Sequence, residues 1–183
     1  MKKIIFPLLM VSLISSARAQ DEEVIRKNAI KINPVSLFAL TGNVAYERAV
    51  SQNKTLQVGG FYSGVNFSGL KYSGYGITPE LRIFLTGEKQ AFNGVYVAPF
   101  IRYQNFQITN KENSNKTSFQ AAGGGATVGW EKMWNGGFTL DVFAGPAYYN
   151  GKFKNDADED AFDLKLGLNG FTFRAGLMIG FGF

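Results

Sequence analysis

The sequence predicts an all-β protein, an eight-stranded antiparallel transmembrane β-barrel with a side-chain-filled lumen. Three observations predict this fold class: an export leader, a C-terminal segment that alternates apolar with small or polar residues, and seven similar segments upstream. The 183-residue chain contains 22 glycines and 17 phenylalanines but neither cysteine nor histidine. Glycine and aromatic residues without disulfides are typical of a chain made of many strands and turns.

The first 19 residues have the features of a cleaved signal peptide. Lys2 and Lys3 precede an apolar run over residues 4–14, and Ala17-Arg18-Ala19 matches the small-x-small pattern at which signal peptidase cuts. The apolar run is shorter than the roughly 20 residues that a membrane-spanning helix needs, so a retained anchor helix is the weaker alternative. We therefore expect residues 1–19 to be removed, residues 20–28 to form a short periplasmic lead, and residues 29–183 to form the barrel.

The positive charge of the chain comes partly from this leader. The full sequence has 19 basic and 14 acidic residues, a net charge of +5. Removing residues 1–19 removes three basic residues and leaves a net charge of +2. This near balance argues against a nucleic-acid partner.

The C-terminal segment is the clearest strand. Every second residue is apolar, and the residues between are small or polar except Met178; the apolar set is Phe171, Phe173, Ala175, Leu177, Ile179, Phe181 and Phe183. A period of two over thirteen residues predicts a strand. Its length suits a tilted strand that crosses a bilayer, which needs about 10 residues.

Seven further segments show the same alternation: 29–38, 42–50, 55–64, 74–85, 94–106, 118–131 and 138–149. With the C-terminal strand they make eight, and an even number puts both chain ends on the periplasmic side. The short predicted connections are 51–54, 86–93 and 132–137, and the long ones are 65–73, 107–117 and 150–169. Short periplasmic turns and long outer loops are typical of outer-membrane barrels, although residues 39–41 make an unexpectedly short outer loop.

The two faces of these strands differ in a way that predicts a membrane barrel. One face is apolar, as at Ile30, Val44 and Val128, whereas the other carries charged residues among glycines. A soluble lipocalin-like barrel would have the apolar face inside and the charged face outside. The predicted lumenal charge network contains four acids and four bases: Glu47, Glu80, Glu131, Asp141, Lys31, Arg82, Arg102 and Arg174. We expect these charges to pair, and because eight strands enclose a space that side chains fill, we expect no open pore.

Aromatic residues are predicted to form a girdle at each membrane interface. The outer girdle would contain Phe38, Tyr62, Tyr75, Tyr103, Phe106, Tyr148 and Phe171. The inner girdle would contain Trp130, Trp134, Phe138, Phe181 and Phe183.

The chain resembles small Gram-negative outer-membrane barrels of the OmpX, Ail and OmpA-transmembrane kind, in its leader, its repeated strand pattern and its terminal Phe183. The resemblance implies an outer-membrane location and an assembly signal, Phe183, Phe181 and Ile179, that the barrel assembly machinery reads. Segments 76–82, 96–100 and 123–131 are more narrowly similar to an uncharacterised barrel family common in Bacteroidetes. The resemblance spans nearly the whole chain after the leader and implies architecture rather than activity.

Catalytic and metal sites have little support in the sequence. Without histidine there is no imidazole base, so we expect no catalytic residues and no cofactor. An acid/base pair of Glu80 and Glu131 is an alternative, but a lumen in which arginines pair with these carboxylates is favoured. The glycines at 123–125 lack the following helix that a phosphate-binding loop needs. The absence of cysteine excludes disulfides and thiolate metal sites.

The longest outer loop is acidic, and a weak cation site is one interpretation of it. The acidic residues are Asp156, Asp158, Glu159 and Asp160. They lack the glycine and the distant glutamate of an EF-hand, so a solvated loop tip is favoured. Basic residues of the outer loops that could meet lipopolysaccharide phosphates are Lys111, Lys116, Lys152 and Lys154.

We therefore expect a non-enzymatic protein with a structural or surface-interaction role through its extracellular loops. Expected partners are outer-membrane lipid and lipopolysaccharide, the assembly machinery and an extracellular ligand. A narrow channel for small solutes is the alternative, and a barrel enzyme acting on lipid is a third hypothesis.

Overall fold

The computed structural model describes residues 26–67, 70–85, 91–110, 116–153 and 170–183. Their elements are β1 (Asn28–Ile32), α1 (Pro34–Phe38), β2 (Thr41–Ser51), β3 (Lys54–Phe67), β4 (Leu70–Phe84), β5 (Asn93–Asn110), β6 (Lys116–Met133), β7 (Phe138–Phe153) and β8 (Gly170–Gly182). The strands pair in chain order, all antiparallel, and β1 pairs with β8 to close a barrel. The predicted fold class, an all-β barrel of eight antiparallel strands, is confirmed.

No helix within the described ranges is long and apolar enough to cross a membrane.

Strand β1 begins and strand β8 ends at the same end of the barrel. Asn28 and Phe183 exchange two backbone hydrogen bonds there, of 3.0 and 2.8 Å, beside the turns at 52–53 and 134–137. We call the half of the barrel nearer this end the lower half and the other the upper half.

The outward face is apolar and the inward face polar, as the alternation predicts. Ile30, Val44 and Val128 are about half exposed, at 49%, 52% and 57%, because they point away from the lumen. The predicted girdle residues are exposed on the outside with one exception. Phe106 points into the lumen, where its ring packs 6.0 Å from that of Phe61, so its assignment to the outer girdle is wrong.

The first predicted strand, 29–38, is wrong beyond Ile32. Asn33 caps a short helix instead, since its side chain accepts a hydrogen bond of 3.0 Å from the backbone N–H of Ser36. Pro34 has no N–H to donate to a neighbouring strand, and its fixed φ suits the first turn of a helix. Helix α1 also accounts for the short connection at residues 39–41.

Strands β3 to β7 are longer than predicted, and the loops between them are shorter. The predicted loop 65–73 is wrong, because β3 continues to Phe67 and β4 begins at Leu70. Strand pairing likewise enters the predicted loop 107–117, where Gln107 lies opposite Ser118. Hydrophobic alternation does not detect these extensions because their outward residues are polar.

Candidate functional site

The lower lumen is filled by a buried ion network centred on Arg82. Its Nη1 atom donates to Asp141, Glu131 and Glu47 at 2.7, 3.0 and 3.2 Å. Its Nε atom donates to Glu80 at 2.7 Å. One guanidinium therefore bonds four carboxylates that come from four different strands.

Lys31 supplies the second cation of the lower lumen. Its Nζ atom pairs with Glu47, lies 2.5 Å from Glu131 Oε1 and lies 3.4 Å from Asp141 Oδ2. Lys31, Arg82 and the three carboxylates that Lys31 contacts are 0% exposed. Charges removed from water in this way are tolerated only when they are paired and hydrogen-bonded, as they are here.

Two neutral groups also bond carboxylates of the lower lumen, and sequence reasoning did not identify either as a member of the network. Thr55 donates its hydroxyl to Glu47, and Tyr96 Oη donates to Asp141 Oδ1 at 2.7 Å. Their inward positions followed from the alternation, but nothing in the sequence indicated which carboxylate each would meet. The Tyr96 ring also lies 4.6 Å from the guanidinium carbon of Arg82.

Inward glycines make room for the lumenal aromatics. A Cβ atom on Gly129 would collide with the ring of Tyr96, and one on Gly176 would lie 2.5 Å from the ring of Phe143. Because β-strands alternate, a glycine opposite an aromatic residue leaves the space that the ring occupies. Glycine therefore determines how tightly the lumen is filled.

Glu80 links the lower network to the upper half. Besides Arg82, it accepts hydrogen bonds from Gln57 Nε2 and Arg174 Nη1, both at 2.8 Å. The guanidinium carbon of Arg174 lies 4.5 Å from the ring centre of Phe100 and 4.6 Å from that of Phe143. Arg174 is thus held by one carboxylate and two aromatic faces.

Arg102 stands apart from the other seven predicted network residues. Its Nε atom donates to Thr78 Oγ1 at 2.8 Å, and its guanidinium lies 5.7 Å from the ring centre of Phe61. No carboxylate of the described residues forms an ion pair with it. The expected pairing of four acids with four bases is therefore wrong at Arg102, and the network contains four acids and three bases.

The upper lumen contains a cavity of about 360 Å³ beside Arg102 and Arg174. A second cavity, of about 460 Å³, has mainly apolar walls and lies beside α1, where Leu37, Val44 and Tyr62 line it. The upper half can therefore accept a ligand, whereas charged and aromatic side chains occupy the lower lumen.

The predicted assembly signal lies at the closure of the barrel. Ile179 and Phe181 pair with Ile32 and Ile30, and the side chains of Phe181 and Phe183 are exposed on the outside. The acidic loop residues Asp156, Asp158, Glu159 and Asp160 lie outside the described residues, as do Lys111 and Lys154. Lys152 is exposed. No cluster of three or more metal-ligating side chains occurs in the part of the chain that the structure describes.

The carboxylates proposed as an alternative acid/base pair are poorly placed to meet a substrate. Glu80 and Glu131 both bond Arg82 and are 3% and 0% exposed. A general acid or base must come within hydrogen-bond reach of the proton that it transfers. This arrangement favours a structural plug over proton transfer.

Comparison with known proteins gives a family but no function. A family model described as "Protein of unknown function (DUF3575)" matches residues 4–163. No curated protein matches the sequence.

Two solved structures are similar to the chain at low identity. The crystal structure of Acinetobacter baumannii CarO is 12% identical, with 88% of this chain and 100% of that chain covered and a TM-score of 0.45. That of Acinetobacter baumannii CarO2 is 13% identical, with 86% and 98% covered and a TM-score of 0.40. Similarity at this level says nothing about what the chain binds.

Proposed function

The chain belongs to the DUF3575 family of proteins of unknown function, and we propose that it is a non-enzymatic outer-membrane barrel that presents a polar strand extension to the cell exterior. The observation that carries this proposal is the length of the central strands relative to their apolar bands. The resemblance to OmpX, Ail and OmpA-type barrels agrees with it.

The outward apolar band has the height of a membrane. On β5 it extends from Val95 to Tyr103, nine residues, and on β7 from Phe138 to Tyr148, eleven residues. A tilted strand needs about 9–11 residues to cross the hydrocarbon core of a bilayer. On both strands the band ends at a tyrosine, a residue that favours the interface between lipid and water.

Beyond this band, the outward positions of β5 become polar. They are Asn105, Gln107 and Thr109, and β7 continues similarly with Asn150 and Lys152. Strands β5 and β6 are each 18 residues long, so seven residues of β5 follow Tyr103. At about 3.4 Å per residue they extend roughly 24 Å along the strand. We call this upper part of β5 to β7 the extension; it supports a role in contact with molecules outside the cell.

The lower network opposes the alternative of an open channel. Arg82 and Lys31 bridge carboxylates from opposite walls of the barrel, and all of these side chains are fully buried. An ion would have to separate these buried charge pairs in order to pass. The proposal therefore includes a barrel that does not conduct.

Two finer proposals concern partners. The exposed Phe181 and Phe183 support recognition of the C-terminal strand by the barrel assembly machinery. The exposed Lys152 follows the interfacial Tyr148 by four residues, so its ammonium is suited to lipopolysaccharide phosphates at the membrane surface.

Shortening the extension tests the display proposal. Residues 108–117 are deleted, and Gln107 is joined to its register partner Ser118 by an Asn-Gly turn. As the matched control, residues 66–71 are deleted, and Val65 is joined in the same way to Tyr72. Heat-modifiability on gels shows that each variant has folded.

In the native bacterium, the β5–β6 deletion is expected to reduce surface adhesion and serum resistance to the level of a strain without the gene. The control deletion is expected to retain most of both. If both variants fold and behave as wild type in both assays, the display proposal fails.

Conductance of the purified protein in planar bilayers tests the alternative. The plug predicts no discrete current steps. Regular steps that disappear when lumenal residues are replaced by bulky ones would favour a channel.

A further inference from the structure

Among the described residues, the strand pairing of the barrel wall stops partway along one side of the upper half. Strand β1 pairs with β8 from Ala29 opposite Gly182 to Ile32 opposite Ile179, and pairing ends there. Asn28 and Phe183 exchange both backbone hydrogen bonds, so the N–H and C=O of Phe183 point towards β1. In an antiparallel ladder every second residue does the same, so the N–H and C=O groups of the other odd-numbered β8 residues also point towards the β1 side. The upper ones therefore have no strand partner on this side among the described residues: Phe171, Phe173, Ala175 and Leu177.

Helix α1 lies beside this edge but is attached to the opposite strand. The backbone N–H of Asn33 donates to Asn43 O at 3.1 Å, and Ser36 Oγ donates to Thr41 O at 2.8 Å. In the described part of the chain, α1 makes no backbone or side-chain hydrogen bond to β8. We call the boundary between α1 and residues 171–177 the seam.

The upper cavity opens into the seam. Its walls include Asn33 and Thr41 on one side and Phe173 and Ala175 on the other. The Phe173 side chain points outward and is 67% exposed, yet it borders the same cavity as the inward Arg174. The cavity therefore reaches, from the lumen, the edge of β8 against which α1 packs.

The inner end of this cavity has the chemistry of an anion site. Arg102 lines it and has no carboxylate partner among the described residues. Tyr149 also lines it, beside Arg102, and its hydroxyl is buried. A guanidinium and a phenol together can donate several hydrogen bonds to a carboxylate or a phosphate.

The outer end of the cavity has the opposite character. Phe173 and Ala175 face the apolar surface, and the side chains of α1 nearby, Val35 and Leu37, are apolar and more than half exposed. The cavity thus has a cationic inner end and reaches the edge of β8 within the height of the lipid band.

We propose that the seam admits a single-chain amphiphile from the membrane, whose anionic head group binds Arg102 and Tyr149 while its hydrocarbon chain passes between α1 and β8. The head group is a carboxylate or a phosphate, as in a fatty acid or a lysophosphatidic acid. This binding site is separate from the extension and does not depend on it.

Binding of defined amphiphiles to the full-length mature protein in dodecyl maltoside tests the proposal. The probes are myristate, 1-myristoyl lysophosphatidic acid and, as the uncharged reference, myristyl alcohol. At least one anionic probe is expected to bind more tightly than the alcohol. Whichever anion binds more tightly identifies the head group, and if the alcohol binds as well as both anions, the proposed head-group site is wrong.

Two variants separate the head-group site from the seam. Arg102→Gln removes the cation and is expected to weaken binding of the anionic probe about tenfold or more. Its control, Arg48→Gln, removes an exposed arginine from the outer face of β2 and is expected to leave binding unchanged.

Ala175→Trp fills the seam and is expected to abolish binding of the tighter anionic probe, while the short anion with the same head group, butyrate or glycerol phosphate, still competes for the Arg102 site in a displacement assay. Heat-modifiability verifies that every variant has folded. Unchanged binding of the tighter anionic probe in either folded Arg102→Gln or folded Ala175→Trp would overturn the proposal.

Discussion

In the lower half of the barrel, β8 pairs with both of its neighbours, whereas in the upper half the only described strand with which it pairs is β7. The interior follows the same division. Below, Arg82 and Lys31 lie among buried carboxylates; above, Arg102 borders a cavity without a carboxylate partner among the described residues. The comparison teaches that one sequence feature, Asn33-Pro34, lies at the boundary between a half with a complete strand ladder and a filled lumen and a half with, among the described residues, an unpaired strand edge and a cavity.

The difference arises from local backbone chemistry. If the ladder continued, Pro34 would lie opposite Leu177 and would have to donate a hydrogen bond that proline cannot make. The chain forms a helix instead, capped by Asn33, and the edge of β8 is left without a strand. The lower half loses nothing, because its pairing is complete before Pro34.

The largest difference in stability between the two halves should appear when one inward arginine is replaced in each half. Arg82→Met leaves buried carboxylates without their shared cation and should lower the free energy of unfolding by about 3–5 kcal/mol. Arg102→Met loses a hydrogen bond to Thr78 and should cost about 1 kcal/mol. Urea unfolding in lipid vesicles, followed by fluorescence of Trp130 and Trp134, measures both. Equal losses would remove the energetic distinction between the halves.

Adding one methyl group to an inward glycine in each half should give a smaller difference in the free energy of unfolding. Gly129→Ala places a Cβ atom against the ring of Tyr96, so we expect a loss of about 1–3 kcal/mol. Gly59→Ala, beside the upper cavity, meets nothing closer than 3.8 Å and should change stability by less than about 1 kcal/mol. The same unfolding assay applies. A larger loss at Gly59 than at Gly129 would show that the upper half is the more tightly filled.

The smallest effect concerns the helix cap. Asn33→Ala removes the acceptor for the Ser36 N–H and should cost about 1 kcal/mol, whereas Asn33→Ser keeps a capping oxygen and should cost less. Proteolysis within residues 33–40 should become faster in the alanine variant only. Identical behaviour of the two variants would show that the cap does not stabilise α1.

The period of two was sufficient to predict eight strands and the inward position of every network residue. Lys31 and Asp141 each lie inward because their strand neighbours are apolar and lipid-facing. Which charged side chains form ion pairs depends on how the strands are staggered around the barrel. The alternation within a single strand gives no information about this stagger. For this reason Arg102 was expected to pair with a carboxylate, although it bonds Thr78.

The helix was predictable in principle. Asn33-Pro34 places a favoured capping residue directly before a proline, a pattern that marks a helix start. The apolar residues around it, Ile32 and Val35, favoured continuation of the strand. The strand extensions were harder to predict from the sequence. Their outward positions, such as Asn105 and Gln107, are polar, so the alternation of apolar and polar residues that identifies a strand is missing.

The end point of the β1–β8 ladder tests the central claim most directly. In micelles, cross-strand nuclear Overhauser effects should join Ile30 to Phe181 and Ile32 to Ile179 and should end there. Residues 34–38 should show helical sequential contacts instead. A ladder that continues from Pro34 opposite Leu177 up to Phe171 would contradict the account, because the upper half would then be sealed like the lower one.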